Sequence, residues 1–139
     1  MSNYWILKTE PSTYSYDDLV RDRKTVWDGV KNPVALKHIG QMKPGDQVLI
    51  YHTGDEKAVV GHATVASSPY PDPKKNDAKL MVIEIAAGPR LPNPVTLAQI
   101  KADPAFKGLA LVRIGRLSVV PATAAHWTRL LHLSGASPR

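Results

Sequence analysis

Residues that could do chemistry gather in a few short stretches: Lys8-Thr9-Glu10, Trp27-Asp28-Gly29, Asn32-Pro33, Tyr51-His52, and Tyr70 between Pro69 and Pro71. Lys8, Glu10, Asp28 and His52 have the side chains of acid–base catalysts. All are expected at strand ends or in loops, where function tends to sit. Their spacing brings no two of them within hydrogen-bond reach, and structural ion pairing is the simpler reading. The aromatics are more informative. Only nine are present, yet several stand beside polar residues at apparent loop edges. Tyr14 and Tyr16 flank a first helix, Trp27 adjoins Asp-Gly, Tyr51 ends a strand and Tyr70 lies among prolines. An aromatic face with polar neighbours can stack a flat base, each stack contributing roughly 1–3 kcal/mol. Trp5 and Trp127, on regular elements, read as core.

Metal and nucleotide chemistry find less support. The five histidines, His38, His52, His62, His126 and His132, lack the spacing of a zinc helix. His52 and His62 could meet across a hairpin, but only Asp55 and Glu56 are near them, so no metal site is expected. Cysteine is absent, which excludes disulfides, thiolate nucleophiles and Cys-based zinc sites, and fits a reducing compartment. No phosphate-loop, dinucleotide or nucleophile-elbow motif is present. No cofactor is expected.

The elements that must position these residues follow from local signals. Tyr4–Leu7 is apolar on both faces and predicts a buried strand, ended by Pro11. Ser15 predicts an N-cap for a helix through Leu19, with Asp17 and Asp18 in its first turn. Trp27–Val30 is expected to be extended or a turn. Asn32-Pro33 reads as N-cap plus first helical residue, followed by an apolar stripe at Ala35, Ile39 and Met42. Backbone N–H groups at that helix start could hold a base edge or a phosphate. After the Lys43–Asp46 turn, strands are expected at 48–52, 58–66 and 80–87, with Gly61 marking a bulge or a close backbone approach. Thr96 and Gln99 form a capping box for a short helix. A strand at 116–120 and a helix capped by Thr123, with Trp127, Leu130 and Leu131 inward, complete the chain. Residues 134–139 are expected to form a flexible tail.

A chain of 139 residues suggests one domain, and 12 prolines with 9 glycines exclude a bundle of long helices. No signal peptide or membrane-spanning run is visible, so a cytoplasmic, nucleoid-accessible protein is expected. The formal charge of +6 suggests an anionic partner. Residues 91–139 carry six bases and one acid, whereas residues 1–30 carry four bases and five acids. Backbone contacts by Arg113, Arg116 or Lys107 would make binding weaken as salt rises.

Taken in order, five motifs resemble the EVE domain family over about residues 3–133. They are Tyr4–Pro11; Trp27-Asp28-Gly29-Val30-Lys31-Asn32; Gly45-Asp46 with Val48–His52; Val60-Gly61 leading to Tyr70-Pro71-Asp72; and Leu111-Val112-Arg113 through Arg116–Val119. The resemblance implies an α+β, PUA-like fold: a curved antiparallel or mixed β-barrel of five or six strands with flanking short helices, related to YTH domains. It implies a non-enzymatic reader of a modified nucleobase in DNA or RNA, or of a nucleobase-like small molecule, and no membrane partner. Carried over by position, Trp27 would be a wall of the nucleobase pocket and Tyr70 the opposite wall. Thr9 and Asn32 would bond the base edge. Lys8, Tyr51 and His52 would line the pocket, and Arg113, Arg116 and Lys31 would form a phosphate-holding rim. The chain departs from the family pattern at Thr9, Lys31, Pro33 and Leu36, where serine, arginine, an aromatic and a basic residue are usual. Two other readings stay open: an enzyme on a modified base or nucleotide using Lys8, Glu10 or His52, and a protein-interaction module.

Overall fold

β1 (Tyr4–Thr9) is the strand expected from Tyr-Trp-Ile-Leu, and its position explains its apolar character on both faces. In the computed structural model, which describes residues 3–75 and 77–136, β1 lies inside the sheet. It runs parallel to β3 (Gln47–His52) and antiparallel to β7 (Val119–Ala122). Both of its edges are therefore paired, and the burial of the successive residues Trp5, Ile6 and Leu7 shows that both faces are covered as well.

Between β1 and β3 come α1 (Tyr16–Asp22), β2 (Lys24–Trp27) and α2 (Pro33–Gln41). β4 (Ala58–Val65), β5 (Tyr70–Pro71) and β6 (Met81–Thr96) follow, then α3 (Leu97–Ala102), a 3-10 turn, α4 (Ala110–Arg113), β7 and α5 (Ala124–Ser134). The strand order is β2-β6-β4-β3-β1-β7, with β5 pairing on β6. The expected curved, mixed sheet is present with short helices around it. It has seven strands among the described residues and not five or six, and it does not close into a barrel: β2 and β7 are its free ends. α2 packs on β7 and β6, and α5 on β6. No helix among the described residues is long and apolar enough to cross a membrane.

The caps form where the local sequence places them. Ser15 and Asp18 close a reciprocal capping box on α1, Thr96 and Gln99 another on α3, and Thr123 caps α5. The chain differs from expectation at longer range. The strand expected at 80–87 runs on to Thr96 through Pro89, Pro92 and Pro94. Proline cannot donate to a ladder, but register shifts against β4 at Val59/Gly61 and Gly61/Ala63 loosen the pairing there. β7 starts at Val119, later than expected, because α4 and a turn occupy 110–117. Ser134, expected in a flexible tail, instead ends α5 fully buried, its hydroxyl donating to the Leu131 carbonyl at 2.7 Å. Residues 137–139 of that expected tail lie outside the described residues.

Two buried polar groups tie the ends of elements together. The Asp46 carboxylate accepts from the Asn3 and Lys43 backbone N–H groups and from the Trp5 indole N–H, each at 3.0 Å. This pins the turn after α2 to the start of β1. Tyr16, expected at a loop edge, is fully buried. Its hydroxyl lies 2.6 Å from the Gly88 carbonyl and 2.9 Å from that of His62, so α1 is fastened to the irregular part of the β4–β6 ladder. Burial raises its pKa, and Arg90 sits 5.1 Å from the ring centre. Tyr16→Phe keeps the ring but leaves both carbonyls without that donor. It is expected to cost about 1–2 kcal/mol and lower the melting temperature by roughly 5 °C; an unchanged melt would show that the hydroxyl contributes nothing.

A candidate nucleobase cleft

A cleft of about 690 Å³ is lined by the C-terminal ends of β1 and β2 and the segments that follow them. Lys8, Thr9 and Glu10 leave β1 on one side; Trp27, Asp28 and Lys31 leave β2 on the other. Gly29, at φ 77°, takes the left-handed conformation that turns the chain after β2. The volume lies in the range of small-molecule sites.

Trp27 and Tyr14 form the aromatic wall. Their rings meet edge to face, with centroids 6.4 Å apart and planes at 85°. Trp27 also belongs to the core and is only 8% exposed. It therefore offers the cleft a margin of its ring, and half-buried Tyr14 supplies the rest of the wall. The Tyr14 hydroxyl donates to Asp22 at 2.8 Å, which fixes the ring. Its pKa is raised, by burial first and by Asp22 against an opposing bond to Thr25.

The polar groups at the cleft are partly committed. The Thr9 hydroxyl donates to the Tyr14 carbonyl at 2.6 Å, so toward a ligand it is an acceptor only. Lys8 Nζ donates to the Gly115 carbonyl at 2.9 Å and lies 5.8 Å from the centre of the Tyr51 ring. Burial holds its pKa below the ordinary lysine value, because low-dielectric surroundings disfavour the charged form. An anion beside it would reverse that bias. Lys31 and Lys74 line the cleft together with Lys8, as do Glu10 and Asp28.

Of the residues expected to form one pocket, the structure thus brings Lys8, Thr9, Trp27 and Lys31 together. The others stand elsewhere. Asn32 does not line the cleft: its carboxamide oxygen accepts from Val34 and Ala35 N–H at 2.9 and 3.1 Å. Its backbone carbonyl takes the Leu36 N–H, and Pro33 has none, so the first turn of α2 has no free backbone N–H for a base or phosphate. His52 faces the underside of α1. Its Nε2 accepts the Tyr16 N–H at 2.9 Å, which places the proton on Nδ1, 2.6 Å from Glu56. That buried ring holds an element in place and is closed to the cleft. Tyr51 is buried beneath Lys8, outside the cleft lining. Tyr70 pairs with Val82 in the short β5–β6 ladder, its hydroxyl 3.4 Å from Glu84, and forms no opposite wall. Arg113 and Arg116 are exposed but line neither the cleft nor its neighbour; only Gly115 between them does.

Tyr14 and Lys74 are the main cleft residues outside the expected set. Tyr14 carries a signal, an aromatic at a loop edge beside the first helix. Lys74 carries none: it arrives because buried Asp72 accepts the Lys74 N–H at 2.9 Å and folds the loop back. Among the described residues no three His, Asp or Glu side chains converge to hold a metal ion.

Comparison with known proteins bears on this cleft. The EVE domain model matches residues 3–133. The structure of Rpa0253 from Rhodopseudomonas palustris is 38% identical, covers 96% of this chain and 93% of its own, and superposes with a TM-score of 0.91. Rat thymocyte nuclear protein 1 is 26% identical over 172 residues, spanning 99% of this chain and 76% of that protein. Human THYN1 protein, solved in complex with 5-methylcytosine containing DNA, shares the fold at a TM-score of 0.89 and 24% identity, over 99% of this chain and 100% of that one.

Proposed function

The chain belongs to the EVE domain family, and from that membership we propose that it is a nucleic-acid-binding module whose Trp27 cleft takes a modified nucleobase. The observation that carries this reading is the cleft itself: an aromatic wall of Trp27 and Tyr14, the Thr9 acceptor and three lysines, in one cavity of about 690 Å³. The human relative solved with 5-methylcytosine containing DNA supports the same partner class.

A base can enter such a cleft only out of the stack, from single-stranded or flipped nucleic acid. Unstacking costs a few kcal/mol, offset by aromatic contact and edge hydrogen bonds. A methyl mark adds about 0.8 kcal/mol where it fills an apolar niche, roughly a fourfold preference. Greater discrimination needs a polar mark or a clash with the unmodified base.

The non-catalytic reading is supported by how the candidate acid–base groups are occupied. Glu10 accepts from Ser12 at 3.1 Å and lies 3.3 Å from the Thr53 hydroxyl, Lys8 is bonded to a carbonyl, and His52 lies outside the cleft. Neither Lys8 nor Glu10 has the other as a partner.

The test is titration of matched oligonucleotides, one with 5-methylcytosine or another modified base and one without, in DNA and in RNA. A several-fold preference for a modified strand is the expected result. Equal affinity across the modifications tried, insensitive to changes at Trp27, would reject base reading. Turnover of a modified nucleoside, lost in Glu10→Ala, would replace it with the enzymatic reading.

A further inference from the structure

We propose that a second depression, bounded by Lys8, Lys57 and Lys101, holds a backbone phosphate flanking the nucleotide whose base occupies the Trp27 cleft. The inference rests on the function proposed above and assigns its anion-holding part to residues outside the cleft.

The depression measures about 210 Å³. That is below the size of drug-like ligand sites and suits a small group. Its floor is apolar, with Leu111 and Tyr51, and the Gly115 backbone stands at its edge. Three lysines line it and no carboxylate does. Among the described residues none of the three makes an ion pair, whereas Arg21, Lys24, Arg90 and Arg129 each face a carboxylate. Unpaired like charges beside an apolar floor repel one another, and an anion between them removes that cost.

Two further observations connect the depression to the cleft. Lys8 lines both, so groups bound in the two would be neighbours along one strand. Lys57 sits at φ 46°, a left-handed conformation unfavourable for a lysine. Its carbonyl is held there by the Leu97 N–H at 2.8 Å, at the head of the helix that carries Lys101. The β3–β4 turn and α3 are thereby clamped with both lysines on one cavity.

The experiment compares wild type with Lys57→Gln/Lys101→Gln, titrated with modified and unmodified oligonucleotides over a range of salt, in DNA and RNA arms. Both lysines are exposed, so the variant should melt as wild type does. The double variant is expected to bind both strands about tenfold more weakly at low salt. The slope of log affinity against log salt should flatten by roughly 0.7–0.9, the value for one phosphate released. The modified-to-unmodified ratio should not change, because phosphates carry no base information. Lys37→Gln/Lys43→Gln, removing equal charge outside both cavities, should have a clearly smaller effect. A retained wild-type slope, or an equal loss in that control, overturns the proposal. Failure of base reading shows separately, as a ratio of one in wild type; a wild type that binds no oligonucleotide overturns both.

Discussion

Trp27→Ala is expected to weaken binding of a modified-base oligonucleotide by roughly 10- to 100-fold, the equivalent of losing about 1–3 kcal/mol of base–aromatic contact. The indole is one wall of the cleft and also the support against which Tyr14 stands edge-on. Removing it therefore loosens both aromatic surfaces. The same substitution reaches the core, since Trp27 is buried among the residues beneath β2 and β6. A stability loss of about 3 kcal/mol accompanies it. The two effects separate cleanly in one ratio. A smaller folded fraction lowers affinity for modified and unmodified strands by the same factor, whereas a lost wall lowers the preference between them. Trp27→Phe retains a ring and most of the packing, and should keep the preference with a modest loss of affinity. If Trp27→Ala keeps the wild-type ratio, the base does not sit against Trp27.

Gly61→Ala is expected to destabilise the fold by about 3–5 kcal/mol, at the upper end for a single added methyl group. A Cβ at this position would come within 2.2 Å of a Tyr16 ring carbon. The ring has no easy retreat. Its hydroxyl is tied to the Gly88 and His62 carbonyls, its backbone N–H to His52, and Arg90 lies over its face. Moving the ring means breaking the hydroxyl contacts, which adds the cost of that lost hydrogen bonding to the overpacking itself. Chemical denaturation should show a lower midpoint with an unchanged slope. The effect should be much smaller in a Tyr16→Ala background, because the clash partner is gone; the difference is the coupling energy of a double-mutant cycle. A Gly61→Ala protein within 0.5 kcal/mol of wild type would mean that the α1–β4 contact is looser than described.

These two positions also illustrate what a single sequence can carry. A glycine inside a strand pattern points to a bulge or to close approach of another group, and Gly61 is both: the ladder shifts register there and Tyr16 lies against its backbone. The identity of the approaching group has no local signal, because Tyr16 is 45 residues away and its neighbours give it the pattern of a loop-edge aromatic. Trp27 stood out because Asp-Gly beside an aromatic marks a turn. That it would be core and cleft wall together depends on β2 pairing with β6, more than 50 residues later.

The caps and the tight turns are legible in the chain, because each rests on hydrogen bonds or dihedral preferences within about four residues; β5 and α4 carry no such signal. Ser15, Asn32, Thr96 and Thr123 all cap where their neighbours place them. Through five ordered motifs the sequence also determined the family. Long-range packing selects which of those groups remain available to a ligand. The Asn32 carboxamide oxygen and the His52 ring nitrogens are suited to a base edge, but bonds to α2, to α1 and to Glu56 use them. Tyr70 is carried away by its pairing with β6, and Arg113 and Arg116 point the charge of the C-terminal third elsewhere than the cleft. The lysines gathered at the two cavities, Lys8 and Lys31 with Lys74, and Lys8 with Lys57 and Lys101, come from distant parts of the chain. Their juxtaposition follows from strand register and loop closure, which are long-range balances of packing that no local pattern encodes.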